Sequence, residues 1–372
     1  MKKYIFDMFA VVAPGLEEAC ARELDALNVS AVSISKGGVA FRGGLEDLYR
    51  ANLWLRTASR VLVRLGAFGS RDFPDLYRKA LRLPWGRFVK PGTLLQIKAS
   101  SYRSRLQHTG RIIETVRDAA YRALGGEPAF DEGPSQQVLV RFENDQCLVS
   151  MDSSGELLYR RGYRQMVGAA PMRETLAAGI LMLLNWDGGK PLVDPMCGSG
   201  TFIIEGAHIG MRKAPGMNRE FAFMRWPRYR QGLWHVLKTE ATCSERGSEE
   251  LLCGYDLASE VVELARQNAV NAEVDSVTRF EVGGIGERRG SIVQAPGLIV
   301  CNPPYGARLG NDAELTELYR QLGDFYRSVY SGWQGAVLCP PGRLVKALGR
   351  GFDCIALLNN GGIEVGLYRA FL

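Results

Sequence analysis

Histidine is nearly missing from this chain. Three occur in 372 residues, and none of the eight cysteines falls in a Cys-x-x-Cys pair. The ligand spacings that build zinc sites are therefore absent, and no metal is expected. No apolar run reaches the roughly 18 residues that a membrane-spanning helix requires. Met1 to Asp7 opens on two lysines and has no long apolar stretch of the secretory-leader kind. The expectation is a cytoplasmic protein without a membrane partner. Two glycine signatures are also incomplete. After Gly198 and Gly200, the third glycine of a dinucleotide fingerprint would fall at Ile203, and no Gly-Lys-Ser/Thr follows to make a phosphate loop.

What remains is ordinary globular composition, with 46% hydrophobic and 23% charged residues. The length suits two or three domains, each with its own core. Cys301, Cys339 and Cys354 sit in apolar strand-like runs and read as buried, reduced thiols. The net charge of +6 says less than its clustering. Tyr102 to Arg111 carries Arg103, Arg105, His108 and Arg111 with no acid, and Tyr159 to Arg173 carries four arginines with none. Arg212 to Arg230 holds six basic residues, one acid and several aromatics. Solvated faces mix signs, so such runs point to a polyanionic partner. Trp226, between Arg225 and Arg228, reads either as an RNA-stacking ring or as the core of a small insert.

Apolar periodicity predicts strands over Tyr4–Val12, Val32–Ser35, Val39–Phe41, Val61–Phe68, Leu94–Ala99, Gln137–Phe142 and Cys147–Asp152. Helices are predicted over Leu16–Leu27, Leu45–Leu55, Phe73–Leu83 and Ser104–Leu124. This is an α+β pattern. After a connector, Pro171 fits the first turn of a helix over Arg173–Leu184. Strands and helices then alternate: Leu192–Asp194, Leu251–Asp256, Ser259–Asn271, Val277–Val282, Leu298–Asn302, Ala313–Tyr330 and Ala336–Pro340. That alternation implies a parallel sheet. Ile355–Leu358 and Glu364–Phe371 close as a hairpin, and Ala214–Glu250 reads as an irregular insert.

Two stretches carry chemistry. Val193-Asp194-Pro195-Met196-Cys197-Gly198-Ser199-Gly200-Thr201 is a strand end, a glycine turn and a helix start, where backbone comes close to a ligand and free N–H groups face it. Leu298–Cys301 is an apolar strand running into Asn302-Pro303-Pro304-Tyr305. A strand end of this kind resembles the sites of enzymes that modify exocyclic amines of bases, which are poor nucleophiles because the lone pair is delocalised into the ring. The Asn302 side-chain oxygen and the Pro303 carbonyl can accept the two hydrogens of such an amine, proline fixes the carbonyl direction, and Tyr305 offers a face for stacking.

Together these stretches resemble the class I S-adenosylmethionine-dependent methyltransferases that modify exocyclic amines. Leu45 to Asp152, with Ser101-Tyr102-Arg103-Ser104-Arg105-Leu106-Gln107-His108-Thr109-Gly110-Arg111, resembles a THUMP domain, an RNA-binding module. Arg160-Arg161-Gly162-Tyr163-Arg164, then Ala170-Pro171-Met172-Arg173-Glu174-Thr175-Leu176, is similar to the lead-in of RlmL-type 23S rRNA guanine-N2 methyltransferases. The resemblance implies an α/β architecture. Residues 1–152 form an α+β region with a THUMP-like domain from about 45 to 152, residues 153–170 a connector, and residues 171–372 a Rossmann-like methyltransferase domain ending in an antiparallel hairpin. It implies S-adenosyl-L-methionine held by Asp194, Met196, Cys197, Gly198, Ser199, Gly200, Thr201, Asp256 and Leu257, with Asp256 on the ribose. It implies catalysis by Asn302, Pro303, Pro304 and Tyr305, and RNA contacts by Arg103, Arg105, His108 and Arg111. One position departs from the family: Gly283 or Gly284 stands where an aspartate usually holds the adenine amine. The implied partner is RNA, 23S rRNA first, and the oligomeric state stays open. Rival readings are a tRNA guanine-N2 methyltransferase, an adenine-N6 DNA or protein glutamine methyltransferase, and a non-catalytic rRNA-binding assembly factor.

Overall fold

The computed structural model describes residues 4–29, 31–128, 133–164, 172–247, 252–285, 296–305 and 312–372. The expectation for Pro171 falls outside them.

The first half builds one seven-stranded sheet from β1 (Phe6–Val12), β2 (Ala31–Ser35), β3 (Gly38–Gly43), β4 (Ala58–Gly69), β5 (Leu94–Tyr102), β6 (Ser135–Glu143) and β7 (Gln146–Asp152), in the order β2-β3-β1-β4-β7-β6-β5. β5 and β6 pair in parallel, and every other neighbouring pair is antiparallel. The long β4 makes the sheet continuous, because its first half pairs with β1 and its second with β7. Helices α1 (Glu17–Ala26), α2 (Leu45–Trp54), α3 (Phe73–Leu81) and α4 (Thr109–Leu124) accompany it. α4 begins later than its polar lead suggests. Ser104 turns aside to bond the Tyr102 carbonyl and the Asp145 N–H, and His108 becomes the N-cap, its Nδ1 accepting the Arg111 N–H at 3.0 Å.

The second half is a parallel sheet with helices on it: α5 (Glu174–Leu183), β8 (Leu192–Asp194), α6 (Thr201–Gly210), α7 (Gln231–Cys243), β9 (Leu252–Asp256), α8 (Ser259–Asn271), β10 (Thr278–Val282), β11 (Leu298–Cys301), α9 (Asp312–Val329), β12 (Gln334–Cys339), α10 (Arg343–Leu348), β13 (Asp353–Asn360) and β14 (Ile363–Phe371). Its order is β10-β9-β8-β11-β12-β14-β13, with β14 antiparallel to both neighbours. β8 lies between β9 and β11, so the chain leaves it in both directions; such a switch point opens a crevice at the strands' carboxyl ends. Cys301 and Cys339 are fully buried there, whereas Cys354 is exposed, because β13 is an edge strand with one face in solvent.

Two expectations about the middle of the chain change. The arginines after Tyr159 do not all face a polyanion. Arg161 is 6% exposed and donates to the Leu158 and Arg56 carbonyls, with Glu205 at 3.6 Å. Arg164 lies beside Glu174 at 3.4 Å and donates to the Thr201 hydroxyl at 2.6 Å. Glu205 comes from the distant α6 and Glu174 from the helix just past the run, so a charge count over the run sees neither. The insert, for its part, is not wholly irregular. Trp234, Leu237 and Ala241 recur at helical spacing on the buried face of α7. Phe223 stacks on Tyr49 of α2 at 4.4 Å, and Trp226 is 5% exposed, its Nε1 donating to Gln136 of β6 at 2.8 Å. These aromatics wedge the two halves together rather than face RNA. Among the described residues no helix is long and apolar enough to cross a membrane.

Candidate active site

The two chemical stretches meet because β8 and β11 are hydrogen-bonded neighbours, so both strand ends open on the same edge of the sheet. At the end of β8 the chain makes two left-handed glycines, Gly198 at φ 53° and Gly200 at φ 85°. A Cβ on Gly200 would stand 2.9 Å from the Phe280 ring, so only glycine lets the turn seat between β8 and β10. The same addition at Gly198 would meet nothing within 4 Å, which marks open space above the turn.

The turn is held from several sides. Asp194, 2% exposed, accepts the Met196 N–H at 3.1 Å, so it anchors the turn. Burial, with Asp256 adding like charge, pushes its carboxyl well above the usual range. Cys197 N donates to the Tyr255 carbonyl at 2.8 Å, and Gly200 N to the Cys197 carbonyl at 2.9 Å. Burial raises the Cys197 thiol, leaving it protonated and inert. Asp256, ending β9, accepts the Gly198 N–H at 3.0 Å through one oxygen and the Ala258 N–H at 3.1 Å through the other. Each oxygen keeps a second lone pair for a ligand hydroxyl. Leu257 beside it is 72% exposed. Gly283 N donates to the Asp256 carbonyl at 2.8 Å, and the Gly284 backbone lies against Leu257. The departure from the usual acid thus leaves apolar surface and backbone at that end. Thr201 opens α6 at the turn, so its free N–H groups and the helix dipole face the same space.

On the other strand end, Asn302 offers the decisive feature. Its Oδ1 is buried and has no hydrogen-bond partner among the described residues. A buried acceptor left unpaired costs about 1–3 kcal/mol, and one held open at a strand end marks a place for a donor from outside. Pro303 is buried beside it. Tyr305 is less open than the motif suggests: it is 5% exposed, and its hydroxyl receives a hydrogen bond from Asn360.

Arg103, Arg105, His108 and Arg111 do not join this cluster. They lie exposed on the loop after β5 and the first turn of α4. Arg103 sits over the exposed Tyr102 ring at 5.0 Å and Arg111 over Phe73 at 4.1 Å. The Arg105 backbone is tied to Asp145 at 2.7 Å, which leaves its guanidinium outside. His208 is structural. It is buried against Tyr163, its Nε2 is 3.1 Å from the Ala272 carbonyl, and burial lowers its pKa to about 4.

Sequence reasoning missed three supports. Arg164 bonds Thr201; Asn268 donates to the Ser199 carbonyl at 3.1 Å; Tyr319 donates to the Pro304 carbonyl at 3.4 Å. Asn268 could have been found, since it interrupts the apolar stripe of Val262, Ala265 and Ala269 on α8.

A parallel sheet with an antiparallel last hairpin, a glycine turn at its switch point and Asn-Pro-Pro-Tyr on the next strand defines a class I methyltransferase fold. Comparison with known proteins agrees. The chain belongs to the RMKL-like methyltransferase-domain family, whose model matches residues 161–351. An RlmL ferredoxin-like domain matches residues 7–62 and a THUMP domain residues 70–152, so these two models divide within β4. Over 96% of its length the chain is 37% identical to the ribosomal RNA large subunit methyltransferase K/L of Syntrophotalea carbinolica, and over 97% it is 36% identical to the protein so named from Methylococcus capsulatus. It covers 52% and 50% of those two, and so spans about half the length of these curated relatives. The crystal structure of SMU.472, complexed with S-adenosylhomocysteine, superposes with a TM-score of 0.90 and 32% identity, over 100% of this chain and 99% of that one.

Proposed function

We propose that this protein transfers a methyl group from S-adenosyl-L-methionine to the exocyclic N2 amine of a guanine in 23S rRNA. The observation that carries the reading is the unpaired, buried Oδ1 of Asn302 at the strand end beside the glycine turn. The names of the K/L relatives supply the ribosomal RNA, and the THUMP match supplies a means of holding it.

The turn fits this cofactor. Gly198 leaves room for the methionine portion, Gly200 lets the turn close against Phe280, the start of α6 faces the carboxylate, Asp256 has lone pairs free for the ribose hydroxyls, and Leu257 is exposed for the adenine. When bound, S-adenosylmethionine supplies an electrophilic methyl on a sulfonium. Asn302 Oδ1 and the Pro303 carbonyl accept the two amine hydrogens, fix the nitrogen towards that methyl and raise its electron density. Tyr305 walls the base slot. The new nitrogen–carbon bond forms as the sulfur–carbon bond breaks, and the nitrogen then loses a proton to solvent. A paired guanine is flipped out or taken single-stranded. Arg103, Arg105, His108 and Arg111 hold the RNA backbone at a distance from the chemistry.

The test is transfer of labelled methyl to unmodified 23S rRNA, 16S rRNA and bulk tRNA, side by side, with Asn302→Ala as control. Label in 23S rRNA that digests to N2-methylguanosine and disappears in Asn302→Ala is the expected result. Label confined to tRNA moves the substrate and keeps the site. Neither label nor cofactor binding by the folded protein makes it a binding factor instead.

A further inference from the structure

The last hairpin of the chain reaches back to the chemical loop. Asn360, the final residue of β13, donates from Nδ2 to the Tyr305 hydroxyl at 2.5 Å, across 55 positions of sequence. The amide is presented from a stiff support. Asn360 pairs with Ile363, and the intervening Gly361 and Gly362 have φ of 64° and 93°, the left-handed pair that a two-residue hairpin turn demands. Gly362 N also donates to Asn359 Oδ1 at 2.9 Å. The hairpin is braced from its far side as well. A Cβ on Gly15, in the turn before α1, would stand 2.1 Å from the Leu357 carbonyl, so the first domain's backbone presses against β13.

The loop that receives this bond is tied elsewhere too. Tyr319 of α9, fully buried, donates to the Pro304 carbonyl. Pro304 is thus fixed at its carbonyl and Tyr305 at the far end of its ring. A bond at the hydroxyl acts on the longest lever the residue has, and it selects one ring orientation of those its torsions allow. Tyr305 is three residues from the acceptor Asn302, with only the two prolines between them. A swing of the ring therefore changes both the wall of the base slot and the direction of the acceptors.

We propose that Asn360 is a positioning residue for methyl transfer: through its bond to the Tyr305 hydroxyl, the terminal hairpin fixes the slot in which the target base is held. The proposal rests on the reading of Asn302 as the group that grips the amine. Asn360 itself touches neither base nor cofactor in this account. Its influence lies in orientation, where a displacement of about 1 Å is worth up to a hundredfold in rate.

A double-mutant cycle on the full chain tests it, with Asn360→Ala, Tyr305→Phe and the double variant assayed for kcat and KM on the RNA that accepts label, and for cofactor affinity by calorimetry. Each single variant is expected to lose about tenfold in kcat, with cofactor affinity held within about twofold. The double variant is expected to be no worse than Tyr305→Phe, since the Asn360–Tyr305 bond is already lost in that variant. Asn360→Asp, which can accept the Tyr305 O–H, is expected to recover part of kcat; a purely structural role for the hairpin would not respond to that exchange. Losses that multiply to about a hundredfold in the double variant, or an Asn360→Ala variant equal to the parent, would overturn the proposal while leaving Asn302 in place. Undiminished transfer by Asn302→Ala would overturn the site and the proposal together.

Discussion

The carboxylate of Asp256 and the N–H of Gly198 are joined at 3.0 Å across two strands. One residue thus shapes the glycine turn and, under the proposed function, offers its remaining lone pairs to the ribose. Asp256→Ala removes both functions. The expected outcome is a cofactor affinity lower by about 10- to 100-fold, the range set by losing hydrogen bonds to a charged group, with the protein still folded. Calorimetric titration with S-adenosylmethionine and with S-adenosylhomocysteine checks it, and an unchanged dissociation constant would remove Asp256 from the site.

The arginine loop after β5 and the glycine turn after β8 stand on different sheets, so under the proposed function RNA and cofactor binding should be separable. Arg103→Ala with Arg105→Ala is expected to weaken RNA binding by about tenfold or more at physiological salt and to reduce the slope of log affinity against log salt by about one for each lost phosphate contact. Cofactor affinity should not move. Filter binding over a salt series reads both quantities, and an unaltered slope would take these arginines off the RNA.

Arg161 sits between the Arg56 carbonyl of the first domain and Glu205 of α6, almost wholly out of water. Arg161→Ala strands a buried carboxylate and two carbonyls. The expected loss of stability is about 3 kcal/mol or more, read as a lower urea midpoint. Arg161→Met keeps the volume and is still expected to lose most of this, because Glu205 then keeps only the Tyr163 hydroxyl, at 3.2 Å, and no opposite charge from Arg161. A change under about 0.5 kcal/mol would mean that the cluster contributes nothing net.

His208 gives a pH signature. Its folded pKa of about 4 lies below the ordinary histidine value, with burial the largest cause. Between that value and roughly 6.5 the unfolded chain binds a proton that the folded chain does not. The stabilisation is therefore complete above about pH 6.5 and is lost as the pH falls towards 4, amounting to about 3 kcal/mol at most. His208→Gln is expected to flatten that limb of the stability curve. Chemical denaturation from pH 4 to 7.5 distinguishes the two, and parallel curves would rule the histidine out as the source.

What the sequence disclosed follows the range of the forces involved. α8 lies over Ser259–Asn271 and β8 over Leu192–Asp194, as their patterns indicate, because the apolar stripe of an amphipathic helix and the run of a buried strand are local. The glycine turn and Asn302 were legible for the same reason. The start of α4 was not, since it depends on a histidine cap and on Ser104 being claimed by Asp145, a residue 41 positions away. Nor could the buried arginines near Arg161 be told from a polyanion-binding face, because Glu205 and Glu174 are set beside them only by folding. Cys354 was misjudged for a related reason: an apolar strand shows its composition, but not which strand ends up at the edge. Asn360 carried no signal at all, being an ordinary turn residue until the hairpin folds onto Tyr305.

The aromatic wedge has a consequence for how a target would be chosen. Tyr49, Phe223, Trp226 and Trp234 lock the insert of one half into the other, and Arg219 ties it to the Glu156, Leu157 and Arg160 carbonyls. Among the described residues, buried rings and hydrogen bonds close that seam. Under the proposed function, the span from the arginine loop to Asn302 is then a constant of the molecule, and the protein works as a ruler: the base that is methylated is the one lying a set length of RNA from the point of grip, whatever its neighbours spell.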